Sequence, residues 1–482
     1  MTGGGKDNWG GIVVSRSDII AHHKAGRLKY VIAFGSDYVA QNPLDFEVLT
    51  LMAEAYLTLR FVNEAETLFQ ILYTQQRSAR TVAGLGLAKS SLGNFKEART
   101  LFKEALMLNS DYLPAWSGLT EIHRYSRQDP VLKRLQRAIT RNKRRPEVEG
   151  TLHYLMCKAM NDMGKWAQAW QHAERGAALL NKTNDPSGLW SWQTDQAAVA
   201  TADLLAAAPQ TQVDSEGLIF VVGMPRSGTS LLETMLSNAP GVFGCGELCF
   251  VSDVARNMSA GDIAAGREHA SHAWLRDWSV ESRAQVAEAY VSDLYARSGK
   301  GKYTRFIDKF PGNIICLPHI SLLFPKARII RMHRNPVDSC ISNYLGQFAG
   351  GNTYTYNVDD LAETYAAYQA CADTITPRLP NPVLEVRYED LVGQPESEMR
   401  RILGFLDLSW DAACIAPEQS TTPCVTRSRG QVRSKISSKA VGRWRRYGDL
   451  ARPLAQALDG HGIDIEDAGE LLAAAGSARG AA

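Results

Sequence analysis

Two arginines and a serine, Arg226, Arg334 and Ser342, stand in sequence contexts suited to gripping phosphate. Arg226 belongs to a run in which the apolar stretch Leu218 to Val222 is followed by Gly223, Met224, Pro225, Arg226, Ser227, Gly228, Thr229, Ser230 and Leu231. That order predicts a buried strand, a glycine-containing turn and a helix. Backbone N–H groups of such a turn and the positive end of the helix converge on an anion. A nucleotide triphosphatase would carry a lysine after the last glycine to reach the outer phosphates. Here Gly228 is followed by Thr229 and Ser230, and the cation is Arg226 inside the loop. A single 5′-phosphate needs neither that lysine nor a magnesium ion, so Arg226 to Leu231 are assigned to one.

The second anion site is read in Ala327 to Ser342. An apolar strand ends at a turn, Pro336 suits the first position of a helix, and Ser342 follows Arg334 by eight residues, about two helical turns. Both can face one phosphate. Two further groups fit a transfer from an anhydride to a hydroxyl, which needs a base for the acceptor proton and positive charge against the leaving group. Glu247 follows the loop helix and a short strand, which returns it to the same sheet edge. Lys309 closes a short apolar run before Pro311 and Gly312. His319 and His333, the histidines nearest these motifs, are read as structural.

The loop from Pro225 to Leu231 resembles the 5′-phosphosulfate loop of sulfotransferases that use 3′-phosphoadenosine 5′-phosphosulfate (PAPS), and the Arg334-Asn-Pro-x-Asp338 segment with Ser342 resembles their 3′-phosphate grip. Cys245-Gly-Glu247 is similar to the segment in tyrosylprotein sulfotransferases whose glutamate takes the acceptor proton. By the same resemblance Lys309 sits on the oxygen bridging phosphate and sulfur, with Arg226 sharing that work. Tyr388 lies near the nucleotide, Ser434 to Trp444 form a basic strap over it, and Arg443 takes the place of a donor-binding lysine. The motifs span roughly 215 to 450. PAPS is the implied co-substrate, with no metal. A peptide or protein tyrosine is one implied acceptor; a sugar, lipid headgroup or small phenol would use the same base and donor site. Two departures stand out: Gly346 replaces a nucleotide-binding arginine, and no counterpart is expected for the membrane anchor of the Golgi members.

The elements that must carry these groups alternate short apolar runs with helical patterns from 217 onward, which predicts an α/β fold with a parallel sheet and a P-loop-like turn over 217–460. Ahead of it, Asn63 to Phe69 and Lys96 to Phe102 repeat at an offset of 33 residues, and Gly86, Ala98, Phe102 and Ala105 sit where a tetratricopeptide unit places small and aromatic residues. A degenerate copy begins near Trp116, and another runs from Met163 through Ala169 to Gly176. Four repeats are expected over 45–182, after a leader and helix over 1–44; a linker is expected over 183–216 and a frayed tail over 461–482. With its helical array the whole chain resembles bacterial tetratricopeptide-repeat sulfotransferases. The array suits a protein partner's groove, a homodimer surface or a spacer.

The 482-residue chain has 53 basic against 51 acidic residues, so no global field suggests nucleic-acid binding, and an anionic ligand must be held locally. The absence of a signal-length or membrane-length apolar run predicts a cytoplasmic protein, and eight scattered cysteines without a CxxC pair predict reduced thiols. Two rival readings use the same residues: a noncatalytic scaffold that keeps the nucleotide, and a kinase. Intact Glu247 and Lys309 argue against the first, the missing loop lysine against the second.

Overall fold

The protein is described from a computed structural model covering residues 14–180, 182, 184–264, 272–298, 302–348, 352–420, 422–425 and 429–472. Its described residues fall into two compact units. One runs up to His123 and includes Pro423–Val425; the other takes Arg124–Thr422 and the chain beyond Val425.

In the first unit, helix Phe46–Thr58 pairs with Val62–Gln75, and Ala79–Ser91 with Phe95–Leu108, each element of the second pair lying 33 residues after its counterpart. The repeat has a packing cause. A Cβ on Gly84 would meet the Phe69 ring at 2.2 Å, and one on Gly118 would meet the equivalent Phe102 ring at 2.4 Å. Each repeated phenylalanine, fully buried, thus lies directly on the backbone of a following helix, an approach that only glycine permits.

In the second unit, five parallel strands form one sheet in the order β2-β3-β1-β4-β5, with β1 Leu218–Gly223, β2 Val242–Gly246, β3 Arg305–Asp308, β4 Arg328–His333 and β5 Val383–Arg387. Every residue of β1 is buried. Leu218, Phe220 and Val222 face a core layer with Phe324 and Ile320, while Ile219 and Val221 face another with Leu232 and Leu403. A sheet covered on both sides explains why the sequence reads as a continuous apolar run there.

Two segments group differently from the sequence expectation. The close pair Pro146–Asp162 and Trp166–Leu180, within the range assigned to repeats, belongs to the α/β unit, and its helices cross where a Cβ on Gly176 would lie 3.0 Å from the Gly150 carbonyl oxygen. The segment expected as a linker carries helices Ser187–Val199 and Ala202–Ala207, which send Val199, Ala200 and Leu205 into the core, and Gln196 donates to the Ile315 carbonyl at 2.9 Å. Polar turn residues at both ends of 183–216 conceal that short apolar content. Of the leader and tail, residues 1–13 and 473–482 lie outside the described residues.

Gly84→Ala is expected to lower unfolding stability by about 1–3 kcal/mol through overpacking against Phe69. Gly188→Ala, whose Cβ would meet nothing within 4 Å, is expected to leave it unchanged or slightly raised. Denaturant melts of both variants check the pair.

Candidate active site

Because all five strands are parallel, their carboxyl ends share one edge, and each is followed there by a residue singled out in the sequence. The phosphate-type loop follows β1, Glu247 follows β2, Lys309 follows β3, Arg334 follows β4 and Tyr388 follows β5. The edge includes the point between β1 and β4 where the strand order reverses, the usual ligand crevice of an open parallel sheet.

The β1 loop is tight at both ends. Gly223 has φ +148, and a Cβ there would come 2.6 Å from the Met332 carbonyl oxygen; Gly228, at φ +104, leaves room for the Tyr388 ring, which a Cβ would meet at 2.6 Å. Between them Arg226 takes φ 72, a left-handed conformation that costs a non-glycine residue of order 1 kcal/mol. The Ser227 hydroxyl is buried and meets no protein partner, while helix Thr229–Leu236 begins immediately after the loop. A buried hydroxyl beside the amino end of a helix is a fitting donor pair for an anion.

The Arg-Asn-Pro-x-Asp segment has a separate physical role for each residue. Asn335 caps helix Pro336–Tyr344 by accepting from the Asp338 amide at 3.0 Å, and Pro336 occupies its first turn. Asp338, fully buried, accepts from the Trp444 amide at 2.8 Å and so anchors the C-terminal strap. Arg334 is 7% exposed, donates to the Arg226 carbonyl at 3.0 Å and the Ala440 carbonyl at 2.6 Å, and lies 4.7 Å over the Tyr388 ring. Burial lowers its pKa, with the Asp338 carboxylate opposing. Its Nε is buried with no protein partner. From the same helix Ser342 accepts from Arg226 Nε at 3.1 Å, and Asn343 donates to the Pro225 carbonyl at 2.8 Å. The two anion sites predicted about a hundred residues apart are therefore one hydrogen-bonded cluster.

On the other side of the loop, Lys309, fully buried, donates to Glu247 Oε1 at 2.6 Å and lies 3.8 Å from Glu233 Oε2. Glu233 also accepts from the Gly246 amide at 2.7 Å, which fixes the turn that carries Glu247. Behind the pair Asp308 accepts from the Tyr290 hydroxyl at 2.9 Å, and burial pushes its carboxyl up to about 7. Asp308 and Tyr290 belong to no motif in the sequence; an acid placed between Ile307 and Lys309 in a strand was their signal.

These groups surround a cavity of about 430 Å³. Arg226, Gly228 to Leu231, Glu247, Arg334, Ser342, Tyr388 and Arg443 line it, whereas Ser227 and Lys309, both buried, do not. The strap contributes Ser434 to Ser437, Lys439 and Ala440; Pro225 and Pro311, from the two marked turns, and Phe348, Gln431 and Val432, which no motif marked, complete the lining. His319 is fully buried, with burial lowering its pKa to about 3, and His333 pairs with Glu385; neither lines the cavity.

A parallel sheet with these groups along one edge defines a class, and the sequence comparison agrees: residues 219–412 match the family model described as Sulfotransferase family. Over those residues the chain is similar to sulfotransferases. Among relatives, a protein-tyrosine sulfotransferase 1 of Danio rerio is 30% identical over 243 residues, covering 47% of this chain and 65% of that protein. Protein-tyrosine sulfotransferase A of Caenorhabditis elegans is 29% identical over 242 residues, 47% of this chain and 60% of that protein. An uncharacterized protein of Aquifex aeolicus is 29% identical over 52% of this chain and 33% of its own length. The chain thus spans between a third and two thirds of these relatives. A solved sulfotransferase domain of a Synechococcus olefin synthase overlaps 52% of this chain and 98% of that domain at 20% identity and a TM-score of 0.36; the sheet topology above, not that superposition, defines the fold. Among the described residues no helix is long and apolar enough to cross a membrane.

The raised pKa of Asp308 has a sign. The folded state favours its neutral form, so its contribution to stability is present below the ordinary aspartate range and is lost as pH rises toward about 7. Wild-type protein is expected to lose more stability between pH 5 and 8 than Asp308→Asn does, measured by denaturant titration at each pH.

Proposed function

We propose that this protein transfers the sulfuryl group of PAPS to an acceptor hydroxyl. The observation that supports it above the others is the meeting of two chemistries at one sheet edge. The Arg226–Ser342–Arg334 cluster suits the phosphates of a nucleotide, and Glu247, held by the buried Lys309, lines the same cavity. Ser227 Oγ and Arg334 Nε, buried without protein partners, fit anionic oxygens, and Gly228 keeps the loop clear for the backbone to approach one.

In the reaction the acceptor oxygen forms a bond to sulfur while the bond from sulfur to the bridging phosphate oxygen breaks. Glu247, which lines the cavity and is 32% exposed, takes the hydroxyl proton. Lys309 holds positive charge against the oxygen that departs with 3′,5′-adenosine bisphosphate (PAP), and Arg226 adds charge from the loop. Arg334 and Ser342 bind the 3′-phosphate, while Ser227 to Leu231, Tyr388 and Arg443 complete the nucleotide site. Lys309 donates to Glu247 at 2.6 Å, and on this reading entry of donor and acceptor exchanges part of that contact for contacts to both.

The acceptor class favoured is the phenolic hydroxyl of a tyrosine in a peptide or protein. Glu247 shares its cavity with Phe348 and Pro311, apolar surfaces suited to an aromatic ring, and two of the three named relatives are protein-tyrosine sulfotransferases. The helix pairs of the first unit, with their 33-residue offset, support a tetratricopeptide reading in which the array recruits the acceptor protein in the cytoplasm. On this reading the catalytic domain begins near 217, with 124–216 as its helical support.

Calorimetric titration is expected to give PAP binding, much weaker ATP binding, and a loss of about ten-fold or more in PAP affinity for Arg334→Ala. Glu247→Gln should bind PAP normally and transfer label from PAPS to a tyrosine peptide about 10²–10⁴-fold more slowly. Folded wild-type protein that does not bind PAP would overturn the assignment.

A further inference from the structure

Resting on the nucleotide reading above, we infer that Asn161 and Tyr447 are positioning residues for Arg443, so that a helix outside the sulfotransferase-family segment sets the strength of donor binding. Arg443 lines the cavity and donates to the Tyr447 hydroxyl at 3.2 Å, one helical turn along the strap. That hydroxyl donates in turn to Asn161 Oδ1 at 2.6 Å. Asn161 lies in the last turn of helix Pro146–Asp162, well before the matched residues 219–412, and Tyr447 lies beyond them.

The direction of the chain is dictated by its donors. A guanidinium can only donate, so the phenol must accept from Arg443 and spend its single proton on Asn161. Burial raises the Tyr447 pKa and keeps that proton in place. The ring itself is 4% exposed and gripped from the second helix of the pair, with Trp166 at 6.0 Å and Trp170 at 5.8 Å between ring centroids. Tyr447 therefore cannot swing aside, and the hydroxyl holds Arg443 at one point of the cavity wall. Helix Pro146–Asp162 also braces the cavity lining at a second point, where Gln347, next to Phe348, donates to the Thr151 hydroxyl at 2.9 Å. A strap that hangs from exposed loops alone would order Arg443 only on binding and would lose affinity in rotamer entropy. Here that ordering is built in.

The test is a double-mutant cycle read by PAP calorimetry on the full chain. Tyr447→Phe keeps the packed ring and removes the hydroxyl; Asn161→Ala removes its acceptor. Each is expected to weaken PAP about five-fold, with melting curves that show the protein still folded at the titration temperature. Neither should add to the loss caused by Arg443→Ala, whereas a general structural role would add in full. Asn161→Asp, which keeps the acceptor oxygen, should restore near-wild-type affinity. The inference is overturned if both single variants bind PAP as wild type does, or if their losses add to that of Arg443→Ala. It is also overturned, with the nucleotide reading intact, if Arg443→Ala binds PAP normally while Arg334→Ala does not. Should wild-type protein bind no PAP, both fall together.

Discussion

Five parallel strands end along one edge of a sheet, and the candidate chemistry depends on that constraint. Parallel strands need crossovers, and the helices of those crossovers cover both faces, so the only open ground lies at the strand ends. Strand ends are also where the ladder stops and backbone is released to turn. Each of the five turns delivers one group: the Arg226 loop, Glu247, Lys309, Arg334 and Tyr388. Moving a strand out of this order would separate the Arg226–Ser342–Arg334 cluster from the Glu247–Lys309 pair.

The buried charges at this edge are held in a way consistent with their cost. Arg334 and Lys309 are both almost or wholly removed from solvent, and each has an immediate acceptor: two backbone carbonyls for Arg334 and the Glu247 carboxylate for Lys309. Uncompensated, such charges would be several kcal/mol unfavourable. Asp338 and Glu233 play the complementary part, since each is a buried carboxylate tied to a backbone amide of the segment it organises, the strap and the Glu247 turn respectively. The site is thus assembled by polar groups that fix backbone, with the cavity-lining groups carried on top.

Much of this was legible along the chain because its signals are local. The apolar run before Gly223, the Asn335 cap with Pro336, and the eight-residue step to Ser342 each depend on the geometry of one strand, turn or helix. The repeat of Phe69 at Phe102 is equally local, since a fixed offset returns the same face of the same kind of helix pair. Asp308, Tyr290, Phe348 and Asn161 were not legible, because their positions are defined by partners tens to hundreds of residues away. The segment 183–216 shows the reverse failure, in which polar ends concealed helices that the core requires.

The residues by themselves determined the kinds of groups present, their order and the elements that carry them, because strand, turn and helix signals act over a few positions. Tertiary structure decided which of those groups meet. It joined Arg226, Ser342 and Arg334 into one cluster, set Lys309 against Glu247, and drew the helix pair ending at Leu180 into the α/β unit, where Asn161 reaches the strap through Tyr447. The reason is that strand order and helix docking follow from burying faces against one another, a property of the assembled layers that no window of sequence contains.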